Sequence, residues 1–84
     1  MSAFILVTVD YKLLKEFKLS QYDLAKKMKS IPDVEEVDIV TGGTDVLVKV
    51  RVSNIDELSE FVTKKLRNID GIEKTQTMVV LTEV

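Results

Sequence analysis

The spacing of hydrophobic positions changes several times along this chain, and each change marks an element. Ala3 to Val9 is an apolar, β-branched run, the pattern of a buried strand. Asp10 to Leu19 holds helix-forming residues without a clean apolar stripe, and we read it as a connection with room for one helical turn. Ser20 followed by Asp23 matches a capping box, after which Leu24, Met28 and Ile31 fall on one helical face. Pro32 is expected to end that helix, because the residue before a proline resists the α conformation. Val34 to Val40 reads as a second strand. Val46 to Val52 reads as a third, with Val46, Val48, Val50 and Val52 alternating along one side.

Asn54 with Glu57 predicts the start of a second helix whose stripe is Ile55, Leu58, Phe61, Val62, Leu66 and Ile69. Asp56, Glu57 and Glu60 come early in it and Lys64, Lys65 and Arg67 late, as the helix dipole favours. Gly71 closes it, and Ile72 to Thr82 is the last strand of a βαββαβ order. An internal echo supports this order: "KKMKSIPDVEE" at 26–36 lines up with "KKLRNIDGIEK" at 64–74, placing the same helix end, turn and strand start in both halves. Two βα crossovers so related predict an α+β, ferredoxin-like two-layer sandwich, an antiparallel sheet with both helices on one face. Residues 1–84 are expected to form one domain.

The stretch "TGGTDVLVKV" at 41–50 fixes the register of the middle hairpin. With Gly42 and Gly43 at its centre, Ile39 faces Val46, Val37 faces Val48 and Glu36 faces Lys49, so apolar meets apolar and acid meets base. A slip of one residue would turn every side chain to the wrong face.

The first strand is apolar on both faces, with Ala3, Ile5, Val7 and Val9 alternating with Phe4, Leu6 and Thr8. A sheet wetted on one side alternates with polar residues instead. Two helices cover one face, so a second copy packed sheet to sheet is expected on the other, with Lys49 and Arg51 finding acids across that interface. The competing arrangement has the second face curled shut or covered by Asp10 to Leu19. An 84-residue domain removes only about 60% of its unfolded surface from water, which makes a covering partner valuable.

Composition closes several alternatives. A net charge of −2 with both signs interspersed offers no clustered basic face for a phosphate backbone, so no direct nucleic-acid partner is expected. The absence of cysteine and histidine removes disulfides, thiolate nucleophiles and the usual metal ligands; no catalytic residue, metal or cofactor is expected. "AFILVTV" is far shorter than a membrane span and lacks a basic segment before it, so the expectation is a soluble cytoplasmic protein with no membrane partner. Asp10, Tyr11 and Tyr22 form no recognisable acid–base set for an enzyme of the dimeric α/β barrel type. An RNA-recognition module would need aromatic platforms on its central strands, where only Phe4 is present.

The segments "VEEVDIVTGGTDVLVKVRV" and "LRNIDGIEKTQTMVVL" resemble the effector-binding domain of the Lrp/AsnC family of regulators. Two motifs carry the resemblance: a Thr-Gly-x-x-Asp turn, and a Gly-(Val/Ile)-x-x-Thr-x-Thr entry into the last strand. It implies the dimeric α/β barrel type of assembly, with homodimers joining into rings, an amino-acid effector held near the turn where dimers meet, and association with full-length regulators of the family. It also implies a stand-alone form without a helix-turn-helix. Carried over by motif, Thr41, Gly42, Gly43, Thr44 and Asp45 would form the turn side of the site, with Thr75 and Thr77 approaching from the last strand. Thr44 departs from the family pattern, which commonly has an aromatic residue there, and this bears on ligand identity. Chemically, glycines let backbone N–H groups approach a carboxylate, and Asp45 is able to accept from an ammonium group. One charge-assisted hydrogen bond contributes roughly 1.5–3 kcal/mol, whereas micromolar binding needs about 8 kcal/mol, so further contacts from a pocket shared between chains are implied. The remaining alternative is an assembly module that joins full-length regulators without a metabolite. In plain structural terms the glycines make a hairpin turn, Thr75 and Thr77 are ordinary strand residues, and Lys26, Lys27 and Lys29 form a solvated helix face.

Overall fold

Alternation along the first strand decides which side of the sheet becomes the core. In the computed structural model, which describes residues 1–84, β1 spans Ser2–Val9, β2 Val34–Ile39, β3 Val46–Arg51 and β4 Ile72–Val79. The sheet order is β2-β3-β1-β4, every neighbouring pair antiparallel. Ala3, Ile5, Val7 and Val9 join Val46, Val48 and Val50 in one buried layer against Leu24, Met28, Leu58, Phe61 and Leu66 from the helices. This is the ferredoxin-like α+β architecture that the periodicities predict. No helix is long and apolar enough to cross a membrane.

The hairpin register is the one read from the sequence, with Ile39 opposite Val46, Val37 opposite Val48 and Glu36 opposite Lys49. Beyond Glu36 the ladder shifts, and Val34 pairs with Val50. Glu35 is the extra residue at this irregularity, and such bulges re-aim a side chain. Here Glu35 meets Arg51, whose Nε donates to Glu35 Oε1 at 2.6 Å, and Lys49, whose Nζ lies 3.9 Å from Oε2. The Arg51 hydrogen bond, followed by the charges of Arg51, Lys49 and Lys29, holds the Glu35 carboxyl below its ordinary range. Lys49 and Arg51 were expected to seek acids on another copy; Arg51 also lies 3.7 Å from Glu83, so both cations find acids within their own chain.

The helices differ from the periodicity in two places. Tyr11–Glu16 is a complete short helix, α1, started by Asp10, whose side chain accepts from the Leu13 N–H. Only Leu14 of its six residues is buried, too few for a readable stripe. Leu14 belongs to the same core cluster as the other helices, so this segment packs on the covered side of the sheet and leaves the second face open. Gln21–Lys29 forms α2, with the capping box between Ser20 and Asp23 complete, and it ends at Lys29, ahead of Pro32.

Ile55–Glu60 forms α3, capped by Asn54, but Phe61–Leu66 winds as a π-helix. Phe61 and Leu66 are both fully buried and five positions apart, the separation that an i→i+5 register brings to one face. An α-helical stripe through 55–69 therefore does not form as drawn: Ile55 is 57% exposed, while Val62 and Ile69 pack at the edge of the core. The last strand ends at Val79 rather than Thr82, with Val80 N–H still donating to Ser2 O.

The opposite face of the sheet carries Phe4 and Leu6 from β1, Leu47 from β3 and Met78 from β4, all outside the core cluster. Met78 is 46% exposed and the other three are half-buried. This is the apolar face left without cover that the first strand predicts.

Candidate functional site

The β2–β3 connection is built by four residues, 41–44, closed by Val40 N–H donating to Asp45 O at 3.0 Å. Of its two glycines only Gly42 has a positive φ, +113°, a conformation that requires glycine. The turn is therefore wider than a two-residue primed turn, although it keeps the same symmetric register. An added Cβ at Gly42 or Gly43 would meet no atom within 4 Å, so the backbone here is open to close approach by another molecule.

Asp45 sits where this loop rejoins the sheet, and its groups are tied into the surrounding elements. Its N–H donates to Val7 O at 3.0 Å, and its Oδ2 accepts from Val9 N–H at 2.9 Å. Oδ1 accepts from the Tyr11 hydroxyl at 3.0 Å, and the backbone O accepts from Gln21 Nε2 at 2.7 Å. The turn aspartate thus clamps the end of β1 to the first residues of α1 and α2. Neither Tyr11 nor Gln21 is marked by any spacing that points to position 45, so the sequence gives no warning of the contact.

Desolvation, then the hydrogen bond to Asp45 and its negative charge, raise the Tyr11 phenol above its ordinary value of 10.0. Because the folded value is raised, this linkage supports the fold below pH 10 and is lost as pH climbs through the folded value. Tyr11 is 55% exposed, so solvent screens the effect and titration is a more sensitive readout than stability. A phenolate absorbance titration should show a step displaced upward that Tyr11→Phe removes and Asp45→Asn moves back toward 10.0. A wild-type curve that Asp45→Asn leaves unchanged would disprove the contact.

On the open face, at the same end of the sheet, lies a recess of about 310 Å³. Gly43 and Thr44 from the loop, Thr75 and its neighbours Lys74 and Gln76 from β4, and Thr8 from β1 line it, with Leu6 as the one apolar wall. Three of the seven motif residues are gathered there: Gly43, Thr44 and Thr75. Thr41, Gly42 and Asp45 lie in or beside the loop without lining the recess. Thr77 lines a different, more apolar groove of about 340 Å³ with Ile55, Leu58, Val62 and Val79. Strand parity does not separate the two threonines, because Thr75 pairs with core-facing Val7 as Thr77 does with Ile5; Thr75 borders the recess between Lys74 and Gln76, which pair with Thr8 and Leu6 on the open face. Thr8, Lys74 and Gln76 were absent from the motif reading. Alternation of the two strands holds the signal that would have found them.

The sequence model of the Lrp/AsnC ligand binding domain matches residues 2–84. An uncharacterized HTH-type transcriptional regulator of Pyrococcus furiosus is 41% identical over 78 residues, which make up 93% of this chain and 49% of that protein. Among solved structures, E. coli AsnC aligns with a TM-score of 0.82 at 28% identity, covering 98% of this chain and 51% of that one. The transcriptional regulator NMB0573 from Neisseria meningitidis, solved as a complex with L-Met, aligns with a TM-score of 0.81 at 27% identity, covering 99% of this chain and 51% of that one. The chain spans about half the length of the curated relatives named with it.

Proposed function

The chain belongs to the Lrp/AsnC ligand-binding domain family, and on that premise we propose that it binds a free amino acid beside the 41–44 loop and assembles with copies of itself through the open sheet face. The observation that carries this reading is the recess that joins Gly43 and Thr44 to Thr75 across the sheet, two separate motifs brought to one place. The L-Met bound to the Neisseria regulator supports the ligand class. A volume of about 310 Å³ sits at the small end of ligand sites, suited to a metabolite of amino-acid size.

The chemistry divides between two neighbouring regions. Open glycine backbone offers N–H donors for a carboxylate. Asp45 already accepts two hydrogen bonds through its carboxylate, but a carboxylate has about four acceptor directions, which leaves capacity for an ammonium at the rim. Thr41, Gly42 and Thr77 are proposed as outer contributors, completed by residues of a neighbouring copy. Because the recess opens on the face carrying Phe4, Leu6, Leu47 and Met78, a second copy seated there closes it and excludes water. Joining of such dimers into larger rings, and with full-length regulators of the family, belongs to the same proposal. The function needs no catalytic residue and no cofactor.

A thermal-shift screen of the standard amino acids, followed by calorimetry, tests this reading. At least one amino acid should raise the melting temperature. Asp45→Ala should abolish that response and, by leaving the Val9 N–H without its acceptor, cost about 1–3 kcal/mol of stability. Asp45→Asn retains an oxygen acceptor, so it should stay folded while still weakening the response. A second reading, an assembly module that binds no metabolite, is favoured by one observation: the Asp45 carboxylate is already satisfied by Val9 and Tyr11. Silence across the whole screen would select that second reading.

A further inference from the structure

We infer that the recess selects amino acids bearing a second carboxylate, such as glutamate or aspartate, and that Lys74 is the residue that reads the extra charge. The inference rests on the binding site proposed above and adds its ligand class.

Three cations belong to the open face of the sheet: Lys49, Arg51 and Lys74. Lys49 and Arg51 are compensated by Glu35, and Arg51 also by Glu83. Lys74 takes part in none of the five ion pairs of the chain. Its place is set by the ladder, which puts it opposite Thr8 just before the β1–β4 register shifts between Thr8 and Val9. It lines the recess beside the loop and also an adjoining one of about 200 Å³. Arg67, which also makes no ion pair, borders the adjoining recess, as does Glu73, which does not reach the first.

The lining of the main recess therefore has one sign. It is lined by Lys74, Gln76, Thr8, Thr44 and Thr75 with Gly43 and Leu6, and by no acidic residue. An ammonium offers three donors and no acceptor; Lys74 is exposed, so water meets those donors in the single chain, and an anion is the group that replaces the water once the face is covered. Covering this face with a second copy raises the stakes, because a charge removed from water without a partner is strongly disfavoured. In the proposed pose the α-carboxylate of the ligand lies against the glycine backbone and its ammonium faces Asp45. Lys74 is then left for a group on the ligand's own side chain, and a carboxylate is the group that matches it. A ligand with a neutral thioether side chain leaves Lys74 uncompensated.

Glutamate and glutamine have nearly the same shape and differ in this charge, so calorimetry with the two is the direct test. The full chain should bind L-glutamate or L-aspartate roughly tenfold or more tightly than the matching amide, the scale of one charge-assisted hydrogen bond. Lys74→Gln should erase that preference while circular dichroism and mass measurement show the same fold and assembly. Equal binding of acid and amide by the unaltered chain, or a preference that survives Lys74→Gln, overturns the inference. If L-methionine binds, Asp45→Asn weakens it and the acidic amino acids do not bind, the site stands and the assignment of Lys74 falls. If no amino acid binds, both fall.

Discussion

Gly71→Ala is expected to lower the stability of the fold by about 2–5 kcal/mol, combining a forbidden backbone conformation with an overfilled core. Gly71 has φ +102°, outside the region that residues with a Cβ adopt readily. A Cβ built there would lie 2.5 Å from Leu14 Cδ2 and 3.4 Å from Leu14 Cγ, with Leu24 Cδ1 at 3.6 Å. Leu14 and Leu24 are 2% and 0% exposed, so neither has free space to move into. The backbone cannot retreat easily either, because Gly71 O accepts from Asp10 N–H at 2.7 Å, the bond that anchors the start of α1. Against a total stability of roughly 4–13 kcal/mol for a chain of this length, the loss leaves a large unfolded fraction. A urea titration checks it: the midpoint should fall sharply. Adding Leu14→Ala should cost much less in the Gly71→Ala background than in the parent, because it removes the colliding methyl. A Gly71→Ala midpoint near that of the parent would show that α1 does not pack against this turn.

That contact also shows where the sequence stops being informative. Gly71 is legible as the end of a helix, but its collision partner Leu14 lies in a segment whose single buried residue makes no pattern. The alternating strands are legible except at their ends and bulges, because a period of two fixes both face and register, as Val37 opposite Val48 shows. The π-helical turn was hidden for the opposite reason: Phe61, Val62 and Leu66 fit a 3.6-residue template well enough to disguise an i→i+5 register. Glu35 is another such case, since nothing in "VEEV" says which glutamate is the bulge that captures Arg51.

For the proposed site, the motifs point to the loop and β4 but carry no information on which face of the sheet each residue takes. Thr75 and Thr77 share one strand parity, opposite core-facing Val7 and Ile5, and it is their neighbours Lys74 and Gln76 that turn to the open face beside Gly43 and Thr44. Motif spacing records which residues recur together, whereas side-chain direction follows from strand parity and from the irregularity that displaces Glu73 from the ladder. The contacts of Asp45 with Tyr11 and Gln21 join residues 34 and 24 positions apart and depend on where α1 and α2 finally dock.

On the proposed dimer, Leu47→Asp is expected to give a folded monomer that lacks the proposed amino-acid response. Leu47 lies on the open face between Leu6 and Asp38 and outside the core cluster, so the helix side should keep its packing. Phe4, Leu6 and Leu47 are already partly buried and Met78 is 46% exposed, so covering them adds roughly 2–5 kcal/mol per copy, twice that for a symmetric pair, against an estimated association cost of 4–15 kcal/mol; the balance is close and easily tipped. Two-fold symmetry makes one substitution act twice. Removing the leucine contact from both copies forfeits roughly 1–2 kcal/mol, a loss of about 5–30-fold in the dimer constant. The new carboxylates also stand opposite Asp38 and must be desolvated, which deepens the loss. Light scattering at micromolar concentration should therefore find the parent chain as a dimer or larger and the variant as a single subunit, with unchanged far-ultraviolet circular dichroism. The ligand arm separates two roles for assembly. If the monomeric variant still binds an amino acid with parental affinity, one chain holds a complete site and the partner contributes only stability. If binding disappears with the dimer, the recess beside Gly43 and Thr44 is half of a site. A parent chain that is itself a stable monomer would mean that water covers Phe4, Leu6, Leu47 and Met78, and the shared-site proposal would then have no second wall.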